Sequence, residues 1–256
     1  MVRAIAVANQ KGGVGKTTTA VNLAAVIASW GRRVLLIDSD PQGNATSGVG
    51  IQRGSFRRGL YHSLVLGDPL SELALPTAIS TLNVIPSNKD LAGAEIELVE
   101  IPHREFRLRD ALAELGPQYE YVIIDCPPSL GVLTVNGLTA SDEVLVPLQC
   151  EALGHRGVAQ LLETITDVRE FTNPHLQVRG VIATMFDSRG RHAREVLDDV
   201  RTRFGLTVLE PPIPKTVRFA EAPGRGVSIL EHAPRSSGAQ AYRAIADLLH
   251  GGSVSA

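Results

Sequence analysis

Two lysines stand five residues apart in the stretch NQKGGVGKTTTA, Asn9 to Ala20. The second, Lys16, closes a glycine-rich loop and is followed by Thr17 and Thr18. That arrangement suits a polyphosphate. Gly12, Gly13 and Gly15 let backbone N–H groups turn inward around phosphate oxygens. Lys16 would reach the outer phosphates, and the Thr17 hydroxyl would ligate Mg²⁺. The usual loop has a glycine six residues before its lysine, but Gln10 stands there, and Lys11 is an additional cation. Three further acidic residues could complete a site. Asp38 ends the apolar run RVLLID, Asp40 follows it, and Asp125 ends YVIID. An acid after an apolar strand is the pattern that holds a magnesium shell.

The elements that must position these residues are short apolar strands alternating with helical patterns. AIAVAN (4–9) reads as a buried strand and Lys16 to Ser29 as a helix, so the loop has the strand-loop-helix context that a phosphate site needs. Further strands are expected at 33–38, 82–86, 121–125, 143–148 and 178–186. Helices are expected at 103–115, 131–139, 157–171, 191–204 and 237–249. Strands that are apolar throughout and alternate with helices imply a mainly parallel twisted sheet covered by helices on both faces. No linker divides the 256 residues, so residues 1–250 read as one α/β domain and 251–256, GGSVSA, as a disordered tail.

Composition narrows the classes. The formal net charge is -2, so an anionic partner must meet a local patch. Cys126 and Cys150 are in no metal-ligand or redox spacing, which favours a reducing cytoplasm. No apolar run approaches the ~20 residues of a membrane span. Only four lysines occur, and two of them lie in the opening stretch. The segment 187–204 is rich in arginine, with Ala193, Val196, Leu197, Val200 and Phe204 on one helical face, Arg191 and Arg194 away from it, and Glu195, Asp198 and Asp199 interleaved.

KGGVGKTT, VLLIDSDPQGNATSG (34–48), YVIIDCPPSLG (121–131), LAGAEIELV (91–99), GLTASD (137–142), VPLQCE (146–151) and VRFAEAP (217–223) together resemble the ParA/MinD family of deviant Walker A ATPases, chiefly the chromosomal, Soj-type ParA proteins. The resemblance implies a single-domain P-loop NTPase that binds ATP and Mg²⁺. It implies that Lys11, Gly12, Gly13, Val14, Gly15, Lys16, Thr17 and Thr18 hold the nucleotide, and that Thr17, Asp38 and Asp125 serve the metal. Lys11 becomes a catalytic residue reaching the nucleotide of a second subunit, and Asp40 the residue that handles the attacking water. Arg189 and Arg218 match arginines that bind DNA without sequence preference. The adenine is expected near Met185 and the segment 211–215. The implied function is DNA partition in the cytoplasm, on the nucleoid: ATP drives a sandwich homodimer onto DNA, and a ParB-type partner, through a basic N-terminal segment, stimulates hydrolysis and release. The alternative within the family is a MinD-like membrane ATPase. That would need a basic amphipathic C-terminal helix, whereas GAQAYRAIADLLHGG is not strongly basic.

Overall fold

A computed structural model of the chain describes residues 2–151, 154–187 and 191–251. In chain order the described elements are β1 (Arg3–Val7), α1 (Lys16–Ser29), β2 (Val34–Asp38), α2 (Asn44–Gly48), α3 (Leu70–Leu73), β3 (Leu75–Pro76), β4 (Leu82–Ile85), α4 (Leu91–Glu97), α5 (Arg107–Leu115), β5 (Tyr121–Asp125), α6 (Val132–Thr139), β6 (Glu143–Gln149), α7 (Gly154–Phe171), β7 (Gln177–Thr184), α8 (Arg191–Arg203), β8 (Val208–Leu209), α9 (Arg218–Gly224), α10 (Ile229–His232) and α11 (Ser237–Gly251). Short 3-10 and π-helical turns link several of them.

The sheet has eight strands in the order β3-β4-β2-β5-β1-β6-β7-β8. Every pairing is parallel except β3 with β4. Alternating side chains feed two cores, one on each face. Ala4, Ala6, Leu35, Ile37, Val122 and Ile124 join one. Ile5, Val7, Val34, Leu36 and Ile123 join the other, with α1 and α11. Continuous apolar strands follow directly from burial on both faces. Helix α1 is buried almost all round, including Ala20, Leu23, Ala24 and Ile27, because it lies between the sheet and α11.

The six strands and six helices expected from periodicity all form, with shifts of a few residues at their ends. The edge strands β3 and β8 are two residues each and exist only by pairing with β4 and β7. Helix α11 runs through Gly251, the first residue of the expected tail; 252–256 lie outside the described residues. In α8 the expected inner face is inside: Ala193, Val196, Leu197 and Val200 are buried.

Candidate functional site

Ligands of parallel sheets collect where the strands' C-terminal ends meet helix N-termini. Here β1 ends at Val7, and the chain turns through Gly13 (φ 73) and Gly15 (φ 85) before α1 starts at Lys16. Both glycines take the left-handed conformation that a side chain strains against. Gly15 occupies the N-cap without a capping side chain, leaving the first N–H groups of α1 directed at the loop's hollow. The loop is anchored from β6: the Asn9 amide donates to the Pro147 carbonyl at 2.7 Å, and its oxygen accepts the Lys11 N–H at 3.0 Å.

Lys16 is buried, and its ammonium donates to the Lys11 carbonyl at 3.0 Å. Burial lowers its pKa, while Asp125, Cys126 and Asp40 nearby pull it back up. Across the loop, Asp38 and Asp125 are register partners at the ends of β2 and β5. Both are fully buried, but their surroundings differ. Asp38 accepts the Thr46 N–H and hydroxyl, each at 2.7 Å, and the Asp40 N–H at 3.2 Å. Burial still raises its pKa to about 6. Neither oxygen of Asp125 makes a hydrogen bond of ordinary geometry. Burial, with Asp38 alongside, pushes its pKa well up, and only the nearby Thr17 hydroxyl and Lys16 oppose that. A buried carboxylate with both oxygens unengaged marks a place for a cation. Asp125 and Thr17 thus fit Mg²⁺, which takes few protein ligands and keeps water and phosphate oxygens as the rest. Asp38, whose oxygens are already occupied, stands behind them.

Asp40 heads a tight loop. Its side chain accepts the Gln42 N–H at 2.9 Å, and its carbonyl accepts the Ser87 hydroxyl at 2.7 Å. Ser87 also donates its N–H to the Thr46 hydroxyl at 2.9 Å. One serine after β4 therefore braces both acids of the β2 end. Thr46 sits in the quoted 34–48 segment, but Ser87 carried no local sign of this role.

Gly12, Gly13, Gly15, Lys16, Thr17, Thr18 and Asp40 line one cavity of about 760 Å³, which continues past Thr184 to Met185, Ile213, Lys215, Phe219 and Tyr242. Met185 and the 211–215 segment thus share the hollow with the phosphate loop. Met185, Ile213 and Phe219 give its far wall an apolar surface, as a flat heterocycle requires. Lys11 points elsewhere: its ammonium pairs with Glu151 at 3.0 Å on the exposed side. Arg218 begins α9, well exposed, with its guanidinium 3.1 Å from Glu221. Arg189 lies outside the described residues.

A glycine loop capping a helix, a buried lysine and a cation-ready aspartate at the crest of a parallel sheet define a phosphate-loop nucleotide hydrolase. Comparison with known proteins agrees and narrows the class. A family model described as an AAA domain matches residues 2–178. The chain is 50% identical over 243 residues to the chromosome partitioning protein ParA of Myxococcus xanthus, covering 95% of this chain and 86% of that one. It is 49% identical over 246 residues to the chromosome-partitioning ATPase Soj of Thermus thermophilus, covering 96% and 94%. Among solved structures, one from Mycobacterium smegmatis described as cobyrinic acid a,c-diamide synthase with bound ADP and magnesium superposes with a TM-score of 0.87 at 47% identity, covering 98% of this chain and 94% of that one. The chain belongs to the ParA/Soj family of chromosome-partitioning ATPases.

Proposed function

We propose that residues 1–250 form one Mg²⁺-dependent ATPase unit that acts as a DNA-partition switch in the cytoplasm, on the nucleoid. ATP binding closes two copies into a sandwich dimer, the dimer holds DNA without sequence preference, and a ParB-type partner stimulates hydrolysis and release. The observation that carries the two-subunit reading is at Gly12. A Cβ built there meets nothing closer than Pro128 at 3.9 Å, and its φ is not in the left-handed range. Nothing in its own chain requires a glycine, so the demand for smallness fits a second loop approaching from outside.

The residues divide the work as follows. The N–H groups of Gly13 to Thr18 and the Lys16 ammonium hold the nucleotide's phosphates. Asp125 and Thr17, backed by Asp38, would hold the magnesium ion, which supplies neutralising charge at the phosphates. Asp40, fixed by Ser87 and Gln42, orients the attacking water. Lys11 leaves Glu151 and reaches the neighbour's nucleotide, where a cation stabilises charge developing in phosphoryl transfer. Hydrolysis is thereby tied to dimer formation.

Two other readings fit less well. Among the described residues no helix is long and apolar enough to cross a membrane, and the apolar face of α11, with Ala239, Tyr242, Ile245 and Leu249, is already buried against its neighbours. It is not free to enter a lipid surface as a MinD-like anchor must. A diamide synthase that draws ammonia from glutamine needs a thiolate. Burial pushes the Cys126 thiol far up and the Cys150 thiol to about 11.

Co-sedimentation with DNA and with anionic liposomes, each in ATP and in ADP, tests the proposal. The protein should pellet with DNA in ATP only, progressively less as salt rises from about 50 to 200 mM, and not with liposomes. Arg218→Glu should weaken DNA pelleting while leaving nucleotide binding intact. Pelleting with liposomes, or DNA binding indifferent to nucleotide, would contradict it.

A further inference from the structure

Helix α9 touches the nucleotide cavity on one side and carries an ion pair on the other. Phe219 lines the cavity. Its ring stands edge-on to Tyr242, 5.7 Å between centroids, and the Tyr242 hydroxyl lies 3.1 Å from that of Thr19 in α1, the helix of the phosphate loop. The turn after α9 presses on the opposite wall. Gly226 (φ 65) and Gly50 (φ 89) cross so closely that a Cβ on Gly226 would stand 2.7 Å from the Gly50 Cα. Gly50 follows α2, which in turn follows Asp38 and Asp40. Both walls of the nucleotide site therefore set where α9 lies.

On the outer side Arg218 and Glu221 form an i, i+3 pair at 3.1 Å. Exposed pairs of this kind usually hold little, because two mobile side chains must be ordered for one contact. Here one of them is ordered already. The Glu221 oxygen that accepts from Arg218 also accepts the Nε2–H of His232 at 2.9 Å. His232 ends α10, and its side chain is only 4% exposed. Of the other charges in 215–232, Lys215 and Arg225 are exposed and make no ion pair with Glu221, and Glu231 accepts the Ser228 N–H and hydroxyl at 3.2 and 3.1 Å.

We infer that Glu221, anchored by His232, is a built-in competitor that holds Arg218 back from a phosphate-bearing polymer until bound nucleotide shifts α9. An anion that engages Arg218 must displace an anchored carboxylate and then lie beside its like charge, which is unfavourable. ATP relieves the hold from inside, through Phe219 and the Gly226 crossing. Nucleotide control of binding then resides partly within each subunit, and not only in the doubling of the surface on dimerisation. The inference rests on the partition reading for its ligand, duplex DNA, and for Arg218 as a contact; the hold on Arg218 does not.

The test follows a short fluorescent DNA duplex of mixed sequence by anisotropy, in ADP and in ATP, at about 50 mM salt. The proteins are the full-length wild type, Glu221→Gln, Arg218→Ala, the double variant of these two, and His232→Leu. In ADP, Glu221→Gln should bind about fivefold more tightly than the wild type, the upper range for one exposed ion pair. In ATP, where the hold is already released, its gain should be much smaller. In the Arg218→Ala background the same substitution should gain nothing. His232→Leu leaves the charge but removes its anchor, and should gain in ADP by a smaller factor. Glu221 is exposed, so Glu221→Gln carries the test should His232→Leu lower the melting temperature. No gain in ADP overturns the inference. So does an equal or larger gain in ATP, or one that survives without Arg218, because only bulk negative charge would then have been removed. A His232→Leu protein with wild-type affinity in ADP overturns the anchoring. Phenylglyoxal labelling in ADP, read by peptide mass spectrometry, follows the hold without DNA: Arg218 should react faster in Glu221→Gln than in the wild type. Faster labelling beside a wild type that binds no DNA in ATP would overturn the partition reading and leave the hold standing.

Discussion

The two ends of the same sheet are built on opposite terms. At the end where the strands start, charges find partners. Arg3 makes paired contacts of 2.7 to 3.1 Å with Glu143, Glu120 accepts from Arg32 and from the Arg33 N–H at 3.0 Å each, and the Tyr121 hydroxyl meets His250 at 2.7 Å. At the end where the strands finish, Asp38 and Asp125 are buried side by side, Asp125 makes no hydrogen bond of ordinary geometry, and both are harder to ionise than usual. One end locks the fold. The other holds unfavourable charge in readiness for a cation and an anionic ligand, and a site preorganised in that way is destabilising until it is filled.

Substitutions at the two ends should therefore have opposite consequences. The largest effect is expected from Lys16→Ala, which should weaken ATP binding by about 100-fold or more, the range expected for a lost charged contact, with little change in melting temperature; calorimetric titration reads the first and a thermal melt the second. Arg3→Ala strands the nearly buried Glu143 and should cost about 2–4 kcal/mol, lowering the melting temperature by roughly 5–10 °C while turnover per folded molecule is unchanged. Asp125→Asn should do the reverse. It should abolish Mg²⁺-dependent turnover, yet raise the melting temperature of the nucleotide-free protein by about 5 °C at pH 8, the order expected for relieving a buried unpaired charge. The pH dependence sharpens this. Carboxyls whose folded pKa is raised favour the fold fully below the ordinary value of about 3.9, and that support is lost as pH rises through their folded values, about 6 for Asp38 and higher for Asp125. The variant's advantage should thus be small at pH 4 and grow toward pH 8. A constant advantage would mean that the Asp125 carboxyl is no harder to ionise in the fold than in the unfolded chain.

Much of this was readable beforehand because it is local. A strand, a glycine loop and a helix follow one another in Arg3 to Ser29, and apolar runs ending in Asp38 and Asp125 announce strand ends. What was not readable depends on chain brought from far away. Ser87 braces Asp40 across 47 residues, and Glu151 holds Lys11 across 140. Strands β3 and β8 are too short for any period to show, and only the sheet defines them. The arginine-rich stretch divides similarly: periodicity gave the inner face of α8, while Arg201 turns out to pair with Asp198 and Glu210.

Lys11, the cation that leans away from its own chain's phosphate loop toward Glu151, ties hydrolysis to the dimer. Light scattering of the wild type and of Lys11→Ala, in ADP and in ATP, with nucleotide affinity measured on the same samples, tests it most directly. The wild type should double its mass in ATP alone. Lys11→Ala should bind ATP with nearly the wild-type affinity, stay at the monomer mass and lose most of its turnover. A Lys11→Ala protein that dimerises in ATP and hydrolyses it at the wild-type rate would contradict the assignment of this lysine to a neighbour's nucleotide.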